Sequence, residues 1–237
     1  MDSSDFLKIL EKSNNRRNIS NKKCKAGFST SEDAVTYTFV KSFSQADSIE
    51  RMMKVLGLEM NSNHVDLFLW GCPISKGTDI TLINRMNSLL SNEFAERANS
   101  LTEPDIILSV EGYGIVIIEV KLHSSNEVKA TEKLSNYLDR SFYTNVAKAK
   151  SSQHYELVRN WSIGNALSEG CNFTLINLGK ESLFTDRNAS KLQLFKESLN
   201  CNKRRQFAQV SWEEILNRLE ERDSQLKEYL KRKTKYR

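Results

Sequence analysis

Apolar residues recur along this chain at spacings typical of helices. In "STSEDAVTYTFVKSFS" the apolar residues Val35, Phe39 and Phe43 lie four residues apart, which places them on one helical face. Similar apolar stripes predict further helices at about residues 3–12, 48–56, 81–98, 151–161 and 211–232. These helices alternate along the chain with short, strongly apolar segments of a different kind.

Those apolar segments have the length and composition of β-strands. Two runs, at about residues 106–110 and 115–120, are joined by "EGYG", whose glycines permit a tight turn. Further strands are predicted at about residues 172–179 and 206–210. Both faces of the second run are apolar until Glu119, which is typical of a central strand covered on both sides. We therefore expect an α/β domain with a central mixed β-sheet flanked by helices on both faces.

Capping boxes mark two of the predicted helix starts. The pairs Ser29 with Glu32 and Ser211 with Glu214 each place a serine three residues before a glutamate. In such a box both side chains bond exposed backbone amides at the helix start. This is the ordinary structural explanation for Glu32.

The length of the chain favours one domain with polar additions. A chain of 237 residues, 39% of them hydrophobic, can bury a sizeable core, and we expect a single domain over residues 1–237. Three segments are too polar for the core: a basic N-terminal loop at about 13–28, a polar insertion at about 123–150 and a basic C-terminal tail at about 227–237.

The net charge of +5 is concentrated in the C-terminal tail. Residues 227–237 contain six basic residues and one acidic residue, an excess equal to the net charge of the whole chain. Such tails are usually solvated or disordered, although they can also attract phosphates. The charge of the body therefore neither requires nor excludes a nucleic-acid partner.

Other classes of protein are disfavoured by what the sequence lacks. No stretch resembles a signal peptide or reaches the length of a membrane span. The four cysteines are far apart and form no C-x-x-C pair, so neither a zinc site nor a disulfide framework is indicated. We expect a cytoplasmic protein with no membrane partner.

Three charged residues interrupt the two strands that "EGYG" joins. Asp105 precedes the first strand, while Glu119 and Lys121 end the second and share one of its faces. Burying such a charge without a partner costs several kcal/mol. A salt bridge between Glu119 and Lys121 is one explanation, but it does not explain why Asp105 gathers there as well.

A metal site is the second explanation. If the strands pair, the carboxylates of Asp105 and Glu119 converge, and two such charges about 4 Å apart repel by roughly 4 kcal/mol at an effective dielectric of 20. A divalent cation relieves this repulsion, and oxygen ligands of this kind suit Mg²⁺. A nearby lysine could then orient or deprotonate a water molecule, or stabilise charge on a phosphate.

The motif resembles a known superfamily. Pro104-Asp105 followed by Glu119-Val120-Lys121 on an apolar strand is similar to the motif of the PD-(D/E)xK nucleases, which have the restriction-endonuclease-like fold. The resemblance covers about residues 102–123. It implies that Asp105, Glu119 and the carbonyl of Val120 bind Mg²⁺, with Mn²⁺ as a substitute, and that Lys121 assists attack by water on a phosphodiester.

Members of this superfamily often add two further polar residues to the site. A glutamate from an early helix would be Glu32, with Glu93 and Glu96 as rivals. A polar residue from the helix after the motif would be Gln153. The chain departs here from the Gln-x-x-x-Tyr pattern of recombination-type members, because Leu157 stands where they have tyrosine.

Two functions from different classes follow from these residues. The first is a Mg²⁺-dependent nuclease that leaves a 5′-phosphate, with DNA as the expected substrate and RNA left open; cleavage of both strands would favour a homodimer. The second is a non-catalytic nucleic-acid-binding or protein-interaction module on the same fold, with Lys121 held in a salt bridge. An unrelated α/β protein with a fortuitous motif is the remaining alternative.

Overall fold

A computed structural model describes residues 31–44, 46–60, 62, 64–74, 77–98, 101–123, 132–139 and 141–235. The predicted helix at about 3–12 and the predicted basic loop at about 13–28 lie outside these residues. The described chain forms one layer of strands between two layers of helices. None of the helices in this part of the chain is long and apolar enough to cross a membrane.

The helices are labelled here in chain order. They are α1 Glu32–Ser42, α2 Ala46–Val55, α3 Thr81–Asn92, α4 Val146–Ser152, α5 Tyr155–Ser168, α6 Asp186–Ser198, α7 Trp212–Arg218 and α8 Ser224–Lys235. Short 3-10 helices cover Glu132–Tyr137, Glu181–Leu183 and Glu221–Asp223.

The two predicted capping boxes have different outcomes. The box of Ser29 and Glu32 is wrong, because Ser31 is the N-cap of α1 and Glu32 is the first helical residue. The hydroxyl oxygen of Ser31 accepts a hydrogen bond from a backbone N–H of α1 at 3.1 Å. The box of Ser211 and Glu214 is confirmed at the start of α7. The Glu32 carboxylate is thus not committed to a capping box.

The strands form a single mixed sheet. They are β1 Val65–Leu69, β2 Cys72–Pro73, β3 Ile106–Val110, β4 Gly114–Val120, β5 Asn172–Gly179 and β6 Arg205–Ser211. Their order is β2-β1-β3-β4-β5-β6, with antiparallel pairs from β2 to β4 and parallel pairs from β4 to β6. β4 is therefore a central strand with a partner on each side.

The predicted turn between β3 and β4 depends on its glycines. Gly112 and Gly114 have φ angles of +74° and +141°, which other residues rarely adopt. A Cβ atom at Gly114 would also lie 2.1 Å from the carbonyl oxygen of Asn172. The turn therefore sets the register in which the two motif strands pair.

Each face of the sheet carries its own hydrophobic core. The face covered by α1, α2, α7 and α8 is called the α1 face, and the face covered by α3, α4, α5 and α6 is called the α5 face. Val116, Ile118 and Val120 of β4 point to the α1 face, while Ile115 and Ile117 point to the α5 face. This arrangement confirms the predicted α/β class and the helices on both faces. The restriction-endonuclease-like assignment stays a prediction.

Three predicted helices have the wrong bounds. The helix predicted for 81–98 ends at Asn92, and the left-handed φ of Ala95, +52°, prevents its continuation. The helix predicted for 151–161 begins instead at Tyr155 and continues to Ser168 as α5, because Gln153 has φ +58° and ends α4. The predicted closing helix breaks at Leu219, whose backbone is extended.

Two segments predicted to be peripheral contribute to the cores. In the described part of the predicted insertion at about 123–150, four side chains are buried: Leu134, Tyr137, Tyr143 and Ala149. Most of the predicted tail at about 227–237 is helical, because α8 packs Leu226 and Leu230 against the α1 face. Both segments bury apolar stripes that their high charge obscures.

Candidate active site

The three charged motif residues meet at one end of β4. β3 and β4 are antiparallel neighbours, with Ile106 opposite Ile118. One residue further along, the same register places Asp105 opposite Glu119. Lys121 follows directly after β4, and its side chain returns to Glu119. The structure thus brings the residues of the motif together on adjacent strands.

Fixed donors orient both carboxylate oxygens of Asp105. The indole Nε1 of Trp70 donates to Oδ1 at 3.2 Å, and the backbone N–H of Val120 donates to Oδ2 at 2.8 Å. Asp105 is half-buried, so its carboxylate remains in reach of a ligand.

Glu119 is almost completely buried, with 3% of its surface exposed. Lys121 Nζ donates to its Oε1 at 2.7 Å, and Asn160 Nδ2 donates to its Oε2 at 2.7 Å. Both donors are themselves buried, with Lys121 7% and Asn160 0% exposed. The carboxylate is therefore held in one orientation by two hydrogen bonds.

Lys121 is shared between two carboxylates. Its Nζ lies 2.7 Å from Oε1 of Glu119 and 2.8 Å from Oε2 of Glu156, which is on the first turn of α5. We call Asp105, Glu119, Lys121, Glu156 and Asn160 the strand-end cluster. Its charges are three carboxylates around a single ammonium group.

The electrostatics of this cluster fix the charge of Lys121. Burial alone would lower the pKa of Lys121, but Glu119 and Glu156 raise that pKa well above its ordinary value. Burial raises the pKa of Glu156, and the neighbouring Glu119 raises it further. Lys121 is therefore an ammonium group at neutral pH, held between two carboxylates that contact it directly.

The backbone around Lys121 is held from both sides. Its N–H donates to the carbonyl oxygen of Leu178 at 2.7 Å, and its carbonyl oxygen accepts from Trp212 Nε1 at 3.0 Å. Oε1 of Glu32 accepts from the backbone N–H groups of residues 122 and 123, at 2.9 and 3.1 Å. The structure thus brings Glu32 to the end of β4, where it fixes the backbone after Lys121.

Polar side chains continue this level of the sheet beyond β4. Asn177 of β5 is opposite Glu119, and Gln209 of β6 is opposite Asn177. Asn177 is buried, although the strand around it is apolar. One polar residue in each of three neighbouring strands therefore marks the same end of the sheet as the motif.

Sequence reasoning missed two members of the cluster, Glu156 and Asn160. They lie four residues apart on α5, so they face the same side of the helix. Asn160 is completely buried in a helix whose other buried residues are mostly apolar or small. A glutamate and an asparagine at this spacing, in a segment rich in apolar residues, are the signal that could have found them.

The other predicted site residues are placed elsewhere. Glu93 is exposed and caps the end of α3. The carboxylate of Glu96 accepts hydrogen bonds from Thr102 and from the hydroxyl of Tyr137. Gln153 is exposed in the turn between α4 and α5 and is not on the helical face predicted for it. These contacts join none of the three to the strand-end cluster.

The carboxylates of the strand-end cluster are too few to coordinate a metal ion with protein ligands alone, but Mg²⁺ does not require that. Among the residues that the structure describes, no group of three or more His, Cys, Asp or Glu side chains could hold a metal ion. Mg²⁺ keeps several waters and needs only one or two carboxylates besides a substrate phosphate. Asp105 and Glu119 supply two carboxylates on adjacent strands, and a magnesium ion held by them stays a prediction. The predicted role of the Val120 carbonyl stays a prediction.

Comparisons with known proteins do not identify a family for this chain. The chain matches no protein-family model, no curated protein and no solved structure. A function for the protein therefore has to be argued from the geometry and the charges of the strand-end cluster.

Proposed function

We propose that the protein is a Mg²⁺-dependent nuclease that hydrolyses phosphodiester bonds, with DNA as its substrate. The observation that carries this proposal is the convergence of Asp105, Glu119 and a protonated Lys121 at the end of a buried central strand. Two carboxylates and a cation at one point can hold a metal and a phosphate together. A chance occurrence of the motif letters requires no such arrangement.

The residues of the chain have separate roles in this proposal. Asp105, Glu119 and the carbonyl of Val120 would hold Mg²⁺, which when bound supplies a Lewis acid and lowers the pKa of a bound water. Trp70 and Asn160 fix the two carboxylates in place through the hydrogen bonds that they donate. The site is then preorganised before substrate arrives.

Lys121 acts as a donor and not as a base in this arrangement. An ammonium group has three N–H donors, and Glu119 and Glu156 accept two of them. The third is left for a phosphate oxygen or a water molecule. Hydrolysis joins the water oxygen to phosphorus, breaks the bond from phosphorus to the 3′ oxygen and leaves a water proton on that oxygen.

One observation favours the alternative of a non-catalytic nucleic-acid-binding or protein-interaction module. Lys121 is 7% exposed and lies between two carboxylates, as a purely structural ion pair would. In that case the cluster joins α5 to β4 and binds no metal. The excess of carboxylates over cations is what this alternative does not explain.

Cleavage assays with a metal titration separate the two functions. We would incubate supercoiled plasmid, linear duplex, single-stranded DNA and RNA with Mg²⁺ or Mn²⁺ and compare wild type with Asp105→Ala and Lys121→Ala. The nuclease predicts metal binding and cleavage by wild type, and cleavage lost in both variants. Equal inertness of all three proteins, without metal binding to wild type, would contradict the nuclease and favour the non-catalytic module.

A further inference from the structure

Arg159 lies beside the strand-end cluster without being paired to any of its carboxylates. Its Nε donates to Oδ1 of Asn160 at 3.3 Å, and Asn160 in turn donates to Glu119. Its guanidinium group lies 5.6 Å from the ring centroid of Tyr155. A ring face and one hydrogen bond therefore fix the guanidinium plane next to the candidate active site.

The terminal nitrogens of Arg159 are left for a ligand. Within the part of the chain that the structure describes, they make no hydrogen bond and no ion pair. Lys121, by contrast, contacts two carboxylates at 2.7 and 2.8 Å. Arg159 is half-buried. Its terminal nitrogens are not among the buried side-chain atoms that lack a hydrogen-bond partner, and they are not fully exposed to solvent.

The local charge keeps this group cationic. Burial alone would lower the pKa of Arg159, but Glu119 and Glu156 raise that pKa above its ordinary value. Lys121 already contacts both of these carboxylates, whereas Arg159 interacts with them only at longer range. The second cation of the site is thus available to an anion from outside the protein.

We propose that the guanidinium group of Arg159 binds the non-bridging oxygens of a substrate phosphate next to the scissile bond. The planar fork of an arginine matches two phosphate oxygens, which a lysine cannot reproduce. This inference rests on the proposed function for its substrate, a phosphodiester. It adds a phosphate-binding residue that the motif itself does not contain.

The test uses three variants in two assays. Arg159→Lys keeps the charge but loses the fork, and Arg159→Gln loses both. Arg205→Gln is the matched control, because Arg205 also lies over a ring, that of Phe142 at 5.8 Å, and begins β6 at the opposite end of the sheet from the cluster. The assays are kcat/KM for cleavage of a labelled DNA duplex with Mg²⁺, and duplex binding in EDTA as a function of salt concentration.

The expected results separate a phosphate contact from a structural role. We expect Arg159→Lys to lose about 10- to 100-fold in kcat/KM while keeping the salt dependence of binding. Arg159→Gln should lose at least as much activity, and its slope of log K against log salt should shrink by about 0.9, the value for one lost phosphate contact. Arg205→Gln should change neither quantity.

Each other result overturns a specific claim. An unchanged salt slope in Arg159→Gln overturns the phosphate contact, whether or not cleavage falls, because a structural defect alone reduces cleavage without removing a counterion. If wild type and Arg205→Gln cleave normally in that case, the nuclease function still stands. If wild type fails to cleave with any metal, the proposed function fails and the salt slope alone decides the role of Arg159.

Discussion

Two groups of buried charge lie at opposite ends of the molecule. The strand-end cluster lies at the carboxyl end of β4, while Arg51 and Asp223 form an ion pair of 3.1 Å at the other end, where Arg51 shares a groove with Glu111 of the β3–β4 turn. Both groups join helices to the rest of the fold. They differ in how their charges are balanced.

We call Arg51 and Asp223 the distal pair. It has one carboxylate for one cation, whereas the strand-end cluster has three carboxylates and one ammonium group. Asp105, Glu119 and Glu156 all act on the charge of Lys121, and Arg159 is a further cation on which Glu119 and Glu156 act. A structural ion pair has no need of surplus carboxylates, which raise the energy of the folded state. We propose from this comparison that several carboxylates gathered around one cation, and not buried charge itself, indicate a binding site.

The largest effect on stability should come from removing the cation at the centre of the cluster. Lys121→Met removes the ammonium group that contacts both Glu119 and Glu156, so the free energy of unfolding should fall by about 3–5 kcal/mol. Arg51→Met should cost about 1–3 kcal/mol, because 19% of the Arg51 side chain is exposed. Urea denaturation at neutral pH without metal measures both losses.

A second substitution tests the cause of that loss. Glu156→Gln in the Lys121→Met background removes one of the repelling charges, so part of the lost free energy of unfolding should return. If Lys121→Met and Arg51→Met lost equal free energy of unfolding, and Glu156→Gln restored none of it, the charges of the two regions would be balanced to the same degree.

A smaller effect is expected for the amide that supports Glu119. Asn160→Ala removes the 2.7 Å hydrogen bond to Oε2 and should reduce the free energy of unfolding by about 1–3 kcal/mol. Asn165→Ala is the matched control on the same helix, because Asn165 donates only to a backbone carbonyl and its Oδ1 has no partner in the described chain. It should cost about 1 kcal/mol or less. A larger loss in Asn165→Ala would contradict the importance of the Glu119 contact.

The smallest effect is a difference in pH dependence between two lysine–glutamate pairs. Burial and Glu119 raise the folded-state pKa of Glu156 above 4.5, whereas hydrogen bonds from Lys148 and Gln193 lower that of the exposed Glu197 below 4.5. At pH values between the unfolded-state pKa and the folded-state pKa of Glu156, this residue binds more protons in the folded chain than in the unfolded chain. Over the corresponding range for Glu197, that residue binds fewer protons in the folded chain. The contribution of Glu156 to stability therefore declines as pH rises above 4.5, and that of Glu197 declines as pH falls below 4.5.

Two substitutions test whether the two glutamates change the free energy of unfolding with pH in opposite directions. The free energy of unfolding of Glu156→Gln relative to wild type should rise as pH increases above 4.5. That of Glu197→Gln relative to wild type should fall as pH increases toward 4.5 from below. Chemical denaturation across a pH series measures both differences, and the same sign in both variants would remove this distinction between the site and the surface.

The sequence was most informative where periodicity and burial agree. The strand pair around "EGYG", the α/β class and the capping box of Ser211 were predictable, because each depends on local pattern or on turn chemistry. The end of α3 and the break at Gln153 were not, because both depend on left-handed residues with no glycine to signal them. Local propensity does not decide such positions; tertiary contacts do.

The candidate site was predictable only along its two motif strands. Asp105, Glu119 and Lys121 stand out because charges interrupt apolar runs. Glu156, Asn160 and Trp70 reach the site from other elements, and their contacts depend on how α5 and β1 pack against β3 and β4. A single sequence contains no direct record of those distances.

The most direct test of the account is a pair of matched substitutions in one assay. Asp105→Asn removes a carboxylate of the strand-end cluster, and Asp223→Asn removes the carboxylate of the distal pair, so both variants lose one half-buried or buried acid. Cleavage of supercoiled plasmid with Mg²⁺ should fall by about a hundredfold to a thousandfold in Asp105→Asn. It should stay near the wild-type rate in Asp223→Asn when that variant is assayed where it remains folded. Equal cleavage by Asp105→Asn and wild type would contradict the assignment of this cluster as a metal-dependent nuclease site.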